Sequence, residues 1–257
     1  MKFKEFGDRN LPTIIMLHGG GLSWWSLTDI VETLKGKYHV VTPIIDGHGE
    51  DGDTDFISIE DSAVRLIRYI DSEYGGEVFA ISGLSIGAQI VAEVLSRRKD
   101  IAKYAIIESA LIYPIKGVVA LTVPTYKLFY GLVKQKWFSK MQAKTLFVPE
   151  NKFQQYYEDS LRISKESLIN ITISNGNYTL KNTISDTSAR VLILVGEKEL
   201  GVMKKSAEAL HQMIPHSELL ILPRMGHGEI SLVHAAQYMN LLRGLFEESE
   251  GSASMHL

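Results

Sequence analysis

The feature that most constrains the fold is a regular alternation of short apolar runs with amphipathic stretches. Apolar runs of this length, such as Ile-Ile-Met-Leu at 14–17 and Val-Leu-Ile-Leu-Val at 191–195, are typical of strands buried on both faces of a parallel sheet. Strands are predicted at 13–17, 39–45, 77–81, 103–107, 190–195 and 218–222, and helices at 26–34, 58–72, 86–97, 203–213 and 230–246. This order indicates an α/β fold with a mostly parallel, doubly wound sheet.

Residues 112–184 break the alternation and are rich in Tyr, Phe, Lys and Leu, with Pro114 and Pro124 among them. We predict a helical cap here, inserted after the fourth predicted strand. It would cover the carboxyl ends of the strands, where open α/β sheets bind their ligands. The core would then comprise residues 1–111 and 185–247, followed by a small, acidic, flexible tail at 248–257.

Composition narrows the function classes. With 45% hydrophobic residues, 22% charged residues and a net charge of -3, the chain gives no reason to expect nucleic acid or an anionic membrane as a partner. Because it has no cysteine, disulfides, thiolate metal sites and a cysteine nucleophile are excluded. No His-Glu-x-x-His pattern occurs, so neither a metal nor another cofactor is expected.

The location is predicted to be cytoplasmic. Residues 1–8 are charged and lack the apolar core of a signal peptide. The most apolar long stretch, 117–133, contains Pro124 and Lys127 and falls short of a membrane span. The sequence does not indicate the oligomeric state.

A candidate nucleophile lies where the third predicted strand meets a helix, in Gly83-Leu84-Ser85-Ile86-Gly87. This G-x-S-x-G pattern in a strand-turn-helix context predicts a nucleophile elbow, with Ser85 on a strained turn. Gly83 and Gly87 would relieve crowding around that turn, and the Ile86 N–H would point to where an oxyanion forms. The alternative interpretation is a Gly-rich turn with an incidental serine.

The first predicted strand ends in His18-Gly19-Gly20-Gly21, and here the chain resembles the α/β-hydrolase superfamily. The resemblance implies that the Gly20 N–H, with Gly21 a possible assistant, joins that of Ile86 in an oxyanion hole. A phosphate-binding loop is disfavoured because Trp24 and Trp25, not lysine, follow. Asp46-Gly47-His48-Gly49 is similar to another loop of the superfamily, and we interpret His18 and His48 as structural.

His227 is the predicted general base among eight histidines. It lies in a Gly-His loop between the last predicted strand and the last helix, where the superfamily carries its catalytic histidine. His211 and His216 are interpreted as surface residues, and His234 as part of the final helix. A serine hydroxyl needs such an imidazole within hydrogen-bond reach to become nucleophilic.

Two carboxylates compete for the role of orienting acid. Glu199, in Gly196-Glu197-Lys198-Glu199, falls on the acid position of the family pattern, which usually carries Asp. Glu108 follows the fourth predicted strand, where some members place the acid. Glu199 completes the order Ser85, Glu199, His227 that this fold leads one to expect.

The resemblance implies a serine hydrolase that cleaves a small or medium carboxylic ester through an acyl-enzyme. Other chemistries on the same triad (C–C bond hydrolysis, aminopeptidase action, thioester hydrolysis) and a non-catalytic ligand-binding protein stay open. The substrate is expected to be a small, apolar acyl compound. An apolar pocket is suggested by the aromatic side chains of Tyr113, Tyr126, Phe129, Tyr130, Trp137 and Phe138, with Trp24 and Trp25. For at least half of them we expect packing of the cap onto the sheet instead, and the sequence does not identify which ones line the pocket.

Overall fold

A computed structural model describes residues 1–115 and 117–253, and at its centre is a seven-stranded sheet. The strands are β1 (Lys2–Phe6), β2 (Thr13–Leu17), β3 (His39–Ile44), β4 (Val78–Leu84), β5 (Ala102–Glu108), β6 (Arg190–Gly196) and β7 (Ser217–Leu222). Their order is β1-β3-β2-β4-β5-β6-β7, and only the β1–β3 pair is antiparallel. The predicted mostly parallel, doubly wound sheet is confirmed.

Ten helices accompany the strands in the described part of the chain. They are α1 (Thr28–Leu34), α2 (Ile59–Tyr74), α3 (Ile86–Arg97), α4 (Val118–Val133), α5 (Lys136–Thr145), α6 (Phe153–Arg162), α7 (Lys165–Asn177), α8 (Gly201–Met213), α9 (Glu229–Val233) and α10 (Ala235–Ala253). Short 3-10 turns join several of them, as at Trp24–Leu27.

Helices cover both faces of the sheet because neighbouring residues of each strand point to opposite sides. Ile15 packs in one apolar cluster with residues of α2, α3 and α8, whereas Ile14 packs in another with residues of α1 and α10. Burial on both faces explains why β2 and β3 are buried at every position and are mainly apolar, with no alternation of apolar and polar residues.

Two features differ from the sequence prediction. β1 was not predicted, because its charged sequence Lys-Phe-Lys-Glu-Phe is that of an exposed edge strand, stabilised by pairing with the distant β3. The prediction of a single helix at 230–246 is wrong, because His234 has a non-helical backbone (φ −113°, ψ 50°) and separates α9 from α10. α10 then continues through Ala253 into the predicted tail, and residues 254–257 lie outside the described residues.

The helices α4 to α7 lie between β5 and β6 in the chain, and we call them the helical insertion (residues 117–177). It is tied to the loop before α2 through α7: Ser167 Oγ accepts a hydrogen bond from the Phe56 N–H (3.1 Å), and Ser174 Oγ accepts one from the Ile59 N–H (2.9 Å). The predicted cap at 112–184 includes Lys116, which lies outside the described residues.

Candidate active site

Ser85 occupies a strained turn between β4 and α3. Its backbone has φ 55° and ψ −115°, a conformation that costs a non-glycine residue about 1–3 kcal/mol. The turn is held on both sides: the Ser85 N–H donates to the Glu108 carbonyl (2.9 Å), and the Ser85 carbonyl accepts from the Gln89 N–H (3.0 Å). The side chain is partly exposed and lines a cavity.

The glycines on either side of Ser85 are required by close backbone contacts. A Cβ on Gly83 would lie 2.3 Å from the Gly87 carbonyl oxygen, and a Cβ on Gly87 would lie 2.6 Å from that of His18. Neither distance is sterically possible, so only glycine lets α3 leave the turn and pass against the loop after β2. This is the crowding that the sequence pattern predicts.

Two backbone N–H groups next to Ser85, those of Gly20 and Ile86, have no partner among the hydrogen bonds of the described residues. Ile86 begins α3, where the first N–H groups of a helix lack intrahelical acceptors. A Cβ on Gly20 would lie 3.7 Å from Ile86 Cγ2, so the two residues are neighbours. Both line the cavity together with Ser85.

His227 and Glu199 form a close pair. The distance from His227 Nδ1 to Glu199 Oε2 is 2.7 Å, and the other carboxylate oxygen accepts from Ser109 Oγ (2.7 Å) and the Gly196 N–H (2.7 Å). Burial raises the pKa of Glu199, but the hydrogen bonds from His227, Gly196 and Ser109 outweigh it and leave that pKa lowered. Glu199 is therefore an ionised acceptor at neutral pH.

Among the described residues, the His227 imidazole is held by a hydrogen bond through Nδ1 alone. Neither Ser85 Oγ nor His227 Nε2 takes part in a hydrogen bond with another described residue, and the His227 side chain is 46% exposed. Gly228 lies against the side chain of Leu84, the residue before Ser85: a Cβ there would be 2.8 Å from Leu84 Cδ1. The loop that carries His227 is thus packed against the elbow.

Glu108, the competing acid, is buried beneath the site and makes no hydrogen bond with His227. Its Oε1 has no partner among the described residues. Burial raises the pKa of Glu108 to about 7, and the nearby Ser231 only partly opposes this shift. Its backbone carbonyl, by contrast, accepts the Ser85 N–H.

The loops after β6 and β7 are joined by several hydrogen bonds that fix the Glu199–His227 pair. Lys198 N–H donates to the Met225 carbonyl (2.9 Å), and Glu197 Oε2 accepts from the Arg224 N–H (2.7 Å). A Cβ on Gly196 would lie 2.5 Å from the Met225 oxygen, so the loops touch there as well. Glu197 therefore ties the two loops together, and among the described residues it forms no hydrogen bond or ion pair with His227.

The cavity beside Ser85 has a volume of about 330 Å³. Its far wall comes from the helical insertion and is mainly apolar, with polar groups among the apolar ones. The lining includes Val133, Leu146, Ile163, Leu168, Ile171, Gln142, Asp159 and Asn175. Of the aromatic residues suggested by the sequence only Tyr126 is in this lining; Trp137 is exposed, and Trp25 is buried, donating to Asp159 Oδ2 (2.7 Å).

Two of the remaining histidines support the backbone near the site. The buried His18 accepts the Ile45 N–H at Nε2 (3.1 Å) and bonds the Gly19 carbonyl through Nδ1 (2.9 Å); burial lowers its pKa to about 3. His48 bonds the Asp46 carbonyl through Nδ1 (3.0 Å) and contributes to the cavity wall. These contacts agree with the structural roles inferred from the sequence.

Sequence reasoning missed Ser109, which fixes the orientation of Glu199. It has a positive φ (56°) and follows β5 directly. A lone serine after a strand carries no sequence signal for this role, because its partner is 90 residues away. Only the adjacency of β5 and β6 in the sheet brings the two together.

A parallel sheet with a serine elbow, adjacent free N–H donors and a His–Glu pair at its carboxyl edge defines a class of proteins. Residues 14–240 match the Alpha/beta hydrolase family, and the chain belongs to that family. Family membership supports hydrolase activity in general terms. A curated relative, an AB hydrolase superfamily protein of Gibberella zeae, is 26% identical over 132 residues, which cover 50% of this chain and 45% of that protein.

Solved structures share the fold at low sequence identity. A carboxylesterase structure from Nitrososphaera gargenis superposes with a TM-score of 0.79 at 17% identity, covering 98% of this chain and 95% of that one. The enol-lactonase of Burkholderia xenovorans gives 0.78 at 13% identity (95% of each chain), and the bromoperoxidase of Bacillus anthracis gives 0.77 at 18% (95% and 94%). Because these proteins are named for different activities, the shared fold does not by itself identify a substrate.

Proposed function

We propose that this protein hydrolyses a small or medium carboxylic ester by a Ser85–His227–Glu199 triad through an acyl-enzyme. The observation that carries the proposal is the 2.7 Å contact between Glu199 and His227 Nδ1, on loops packed against the strained turn of Ser85. It favours Glu199 over Glu108 as the acid.

In the proposed reaction, ionised Glu199 keeps the proton of His227 on Nδ1 and leaves Nε2 as the base. His227 takes the Ser85 proton as Oγ attacks the ester carbonyl, and then protonates the leaving alcohol. Water, activated by the same imidazole, releases the acid. The Ser85–His227 hydrogen bond would form on substrate binding, since catalytic hydrogen bonds are often long or absent in unliganded sites.

The free N–H groups of Gly20 and Ile86 support an oxyanion hole next to Ser85. Loss of one such donor typically lowers kcat by about a hundred- to a thousand-fold. The aliphatic wall formed by Val133, Leu146 and Ile171 suits an apolar acyl or alcohol group. A cytoplasmic location stays a prediction; within residues 1–115 and 117–253 no helix has the length and apolar character needed to cross a membrane.

A fluorophosphonate probe and a series of p-nitrophenyl esters of increasing chain length test the proposal. We expect wild-type protein to be labelled and to hydrolyse the esters, and Ser85→Ala to lose both properties while keeping its circular dichroism spectrum. Ser72→Ala, at an exposed serine of α2 that does not line the cavity, is the matched control. Ester turnover retained by Ser85→Ala would contradict the assignment, and absence of labelling in the wild type would favour a non-catalytic ligand-binding protein.

A further inference from the structure

The helices α4 and α5 expose large apolar side chains to an unusual degree. Leu121 and Leu128 are 76% and 75% exposed and lie two turns apart on α4, and Trp137 on α5 is 62% exposed. Phe129 and Met141 are more than half exposed as well. A helix as apolar as α4 is ordinarily buried, and clusters of exposed apolar side chains mark interaction sites.

The charge of the same segment departs from that of the whole chain. Between residues 117 and 149 there are five lysines and no aspartate, glutamate or arginine, whereas the complete chain has a net charge of -3. Lys127, Lys140 and Lys144 are exposed, and none of them forms an ion pair or hydrogen bond with another described residue. The modest overall charge therefore conceals a cationic segment, which Glu150 follows directly and borders at Lys140 and Lys144.

From this combination we propose that α4 and α5 form a docking surface for an anionic phospholipid bilayer. Helices that lie in the membrane interface combine exposed Leu, Phe and Trp with lysines that contact anionic headgroups. A two-fold contact between copies would bring the lysines of residues 117–149 of both copies together without acidic partners, so the charge of this segment favours an anionic surface over a second copy. The inference does not depend on the proposed esterase activity.

Docking would bring the cavity close to the membrane. Tyr126 and Val133 of α4 line the cavity, while Leu121 and Leu128 of the same helix are exposed. The helix that would contact the bilayer is thus also a wall of the site next to Ser85. This arrangement suits a peripheral protein that meets its ligands at a membrane surface.

The test is sedimentation of the full-length protein with vesicles of phosphatidylcholine alone or mixed with phosphatidylglycerol. We expect binding to the mixed vesicles, weaker binding to the neutral ones, and a loss of binding at high salt. Of the three tryptophans, Trp25 is buried, and Trp24 is half-buried outside α4 and α5 with its Nε1 donating to Glu50 (3.2 Å). Trp137 should therefore produce a blue shift of fluorescence on binding, and Trp137→Phe should abolish it.

Two double variants separate the contributions of the surface. Leu121→Gln/Leu128→Gln and Lys140→Gln/Lys144→Gln should each weaken binding to mixed vesicles by about tenfold. Ile57→Gln and Lys37→Gln/Lys205→Gln change exposed residues elsewhere and should have no effect. Ser85→Ala should bind like wild type, so that failure of the hydrolase proposal and failure of this one are distinguishable.

Equal binding of wild type and both double variants would overturn the proposal, as would a lack of preference for the anionic vesicles. A different result would assign the surface to a contact between copies of the chain. In that case the wild type would not bind vesicles, analytical ultracentrifugation would show a dimer, and Leu121→Gln/Leu128→Gln would convert it to a monomer. Because all four substituted side chains are exposed, circular dichroism should show that the variants fold.

Discussion

The carboxyl edge of the sheet and the helical insertion face each other across one cavity, yet they are built differently. At the sheet edge, Gly83 and Gly87 touch neighbouring backbone, and the backbone of Ser85 is held by β5 and α3. In the insertion, a Cβ on Gly131 would meet nothing within 4 Å, and Leu121 and Leu128 are exposed. The proposed chemistry is fixed by tight packing, whereas the wall that would select a substrate leaves much apolar surface uncovered.

If the sheet edge carries the chemistry, the largest effect should come from Glu199→Gln. The amide would present an N–H where the carboxylate accepts from Nδ1, favouring the wrong imidazole tautomer. We expect kcat for a p-nitrophenyl ester to fall by about 10³–10⁴-fold, with the fold intact. The control Glu108→Gln should keep most of the activity. An equal loss of activity in Glu108→Gln would indicate that Glu108 is the orienting acid.

The tightness of the elbow is tested next by Gly83→Ala. The added methyl group would lie 2.3 Å from the Gly87 carbonyl oxygen, and neither backbone segment can move without displacing Ser85. We expect the free energy of unfolding to drop by about 3 kcal/mol and activity to fall, though less than in Glu199→Gln. Urea unfolding measures the first and ester turnover the second. A variant with wild-type stability would show that the elbow is looser than these contacts indicate.

A pH effect on stability should come from Glu108. The folded-state pKa of Glu108, about 7, lies above its unfolded value. Between these two pKa values the folded state binds more protons than the unfolded state, so stability declines as pH rises through about 7. Glu108→Gln removes this charge and should be more stable than wild type by about 1–3 kcal/mol at pH 8, with little difference at pH 5. Melting temperatures across this range provide the measurement. A difference that is the same at every pH would show that the charge is not the cause.

Features set by local sequence were predictable, and features set by distant pairing were not. The strand-elbow-helix unit from β4 to α3 follows from adjacent residues, and so do the apolar strands β2 and β6. β1 depends on pairing with β3, and Ser109 finds Glu199 only because β5 and β6 are adjacent. The choice between Glu199 and Glu108 likewise required the fold, since both follow strands that end at the same edge.

The sequence could not identify which aromatic side chains line the cavity, for a related reason. Whether Trp137 or Tyr126 faces the cavity depends on how α4 and α5 turn against the core, which residue type does not determine. The apolar character of the pocket instead comes mostly from aliphatic residues such as Leu146 and Ile171. Composition indicated an apolar wall, but it could not identify the side chains that form it.

The smallest effect is expected from Gly131→Ala, which tests the more loosely packed helical insertion. Gly131 is exposed within α4 and has open space around its Cα, so alanine should raise the free energy of unfolding by about 0.5–1 kcal/mol through helix propensity. Gly75→Ala is the matched control: it also meets nothing within 4 Å, but its φ of +67° at the end of α2 disfavours a Cβ, and it should destabilise. Urea unfolding of both variants gives the sign of each change. A loss of stability in Gly131→Ala would mean that α4 is packed more tightly than its exposure indicates, because helix propensity alone can only favour alanine there.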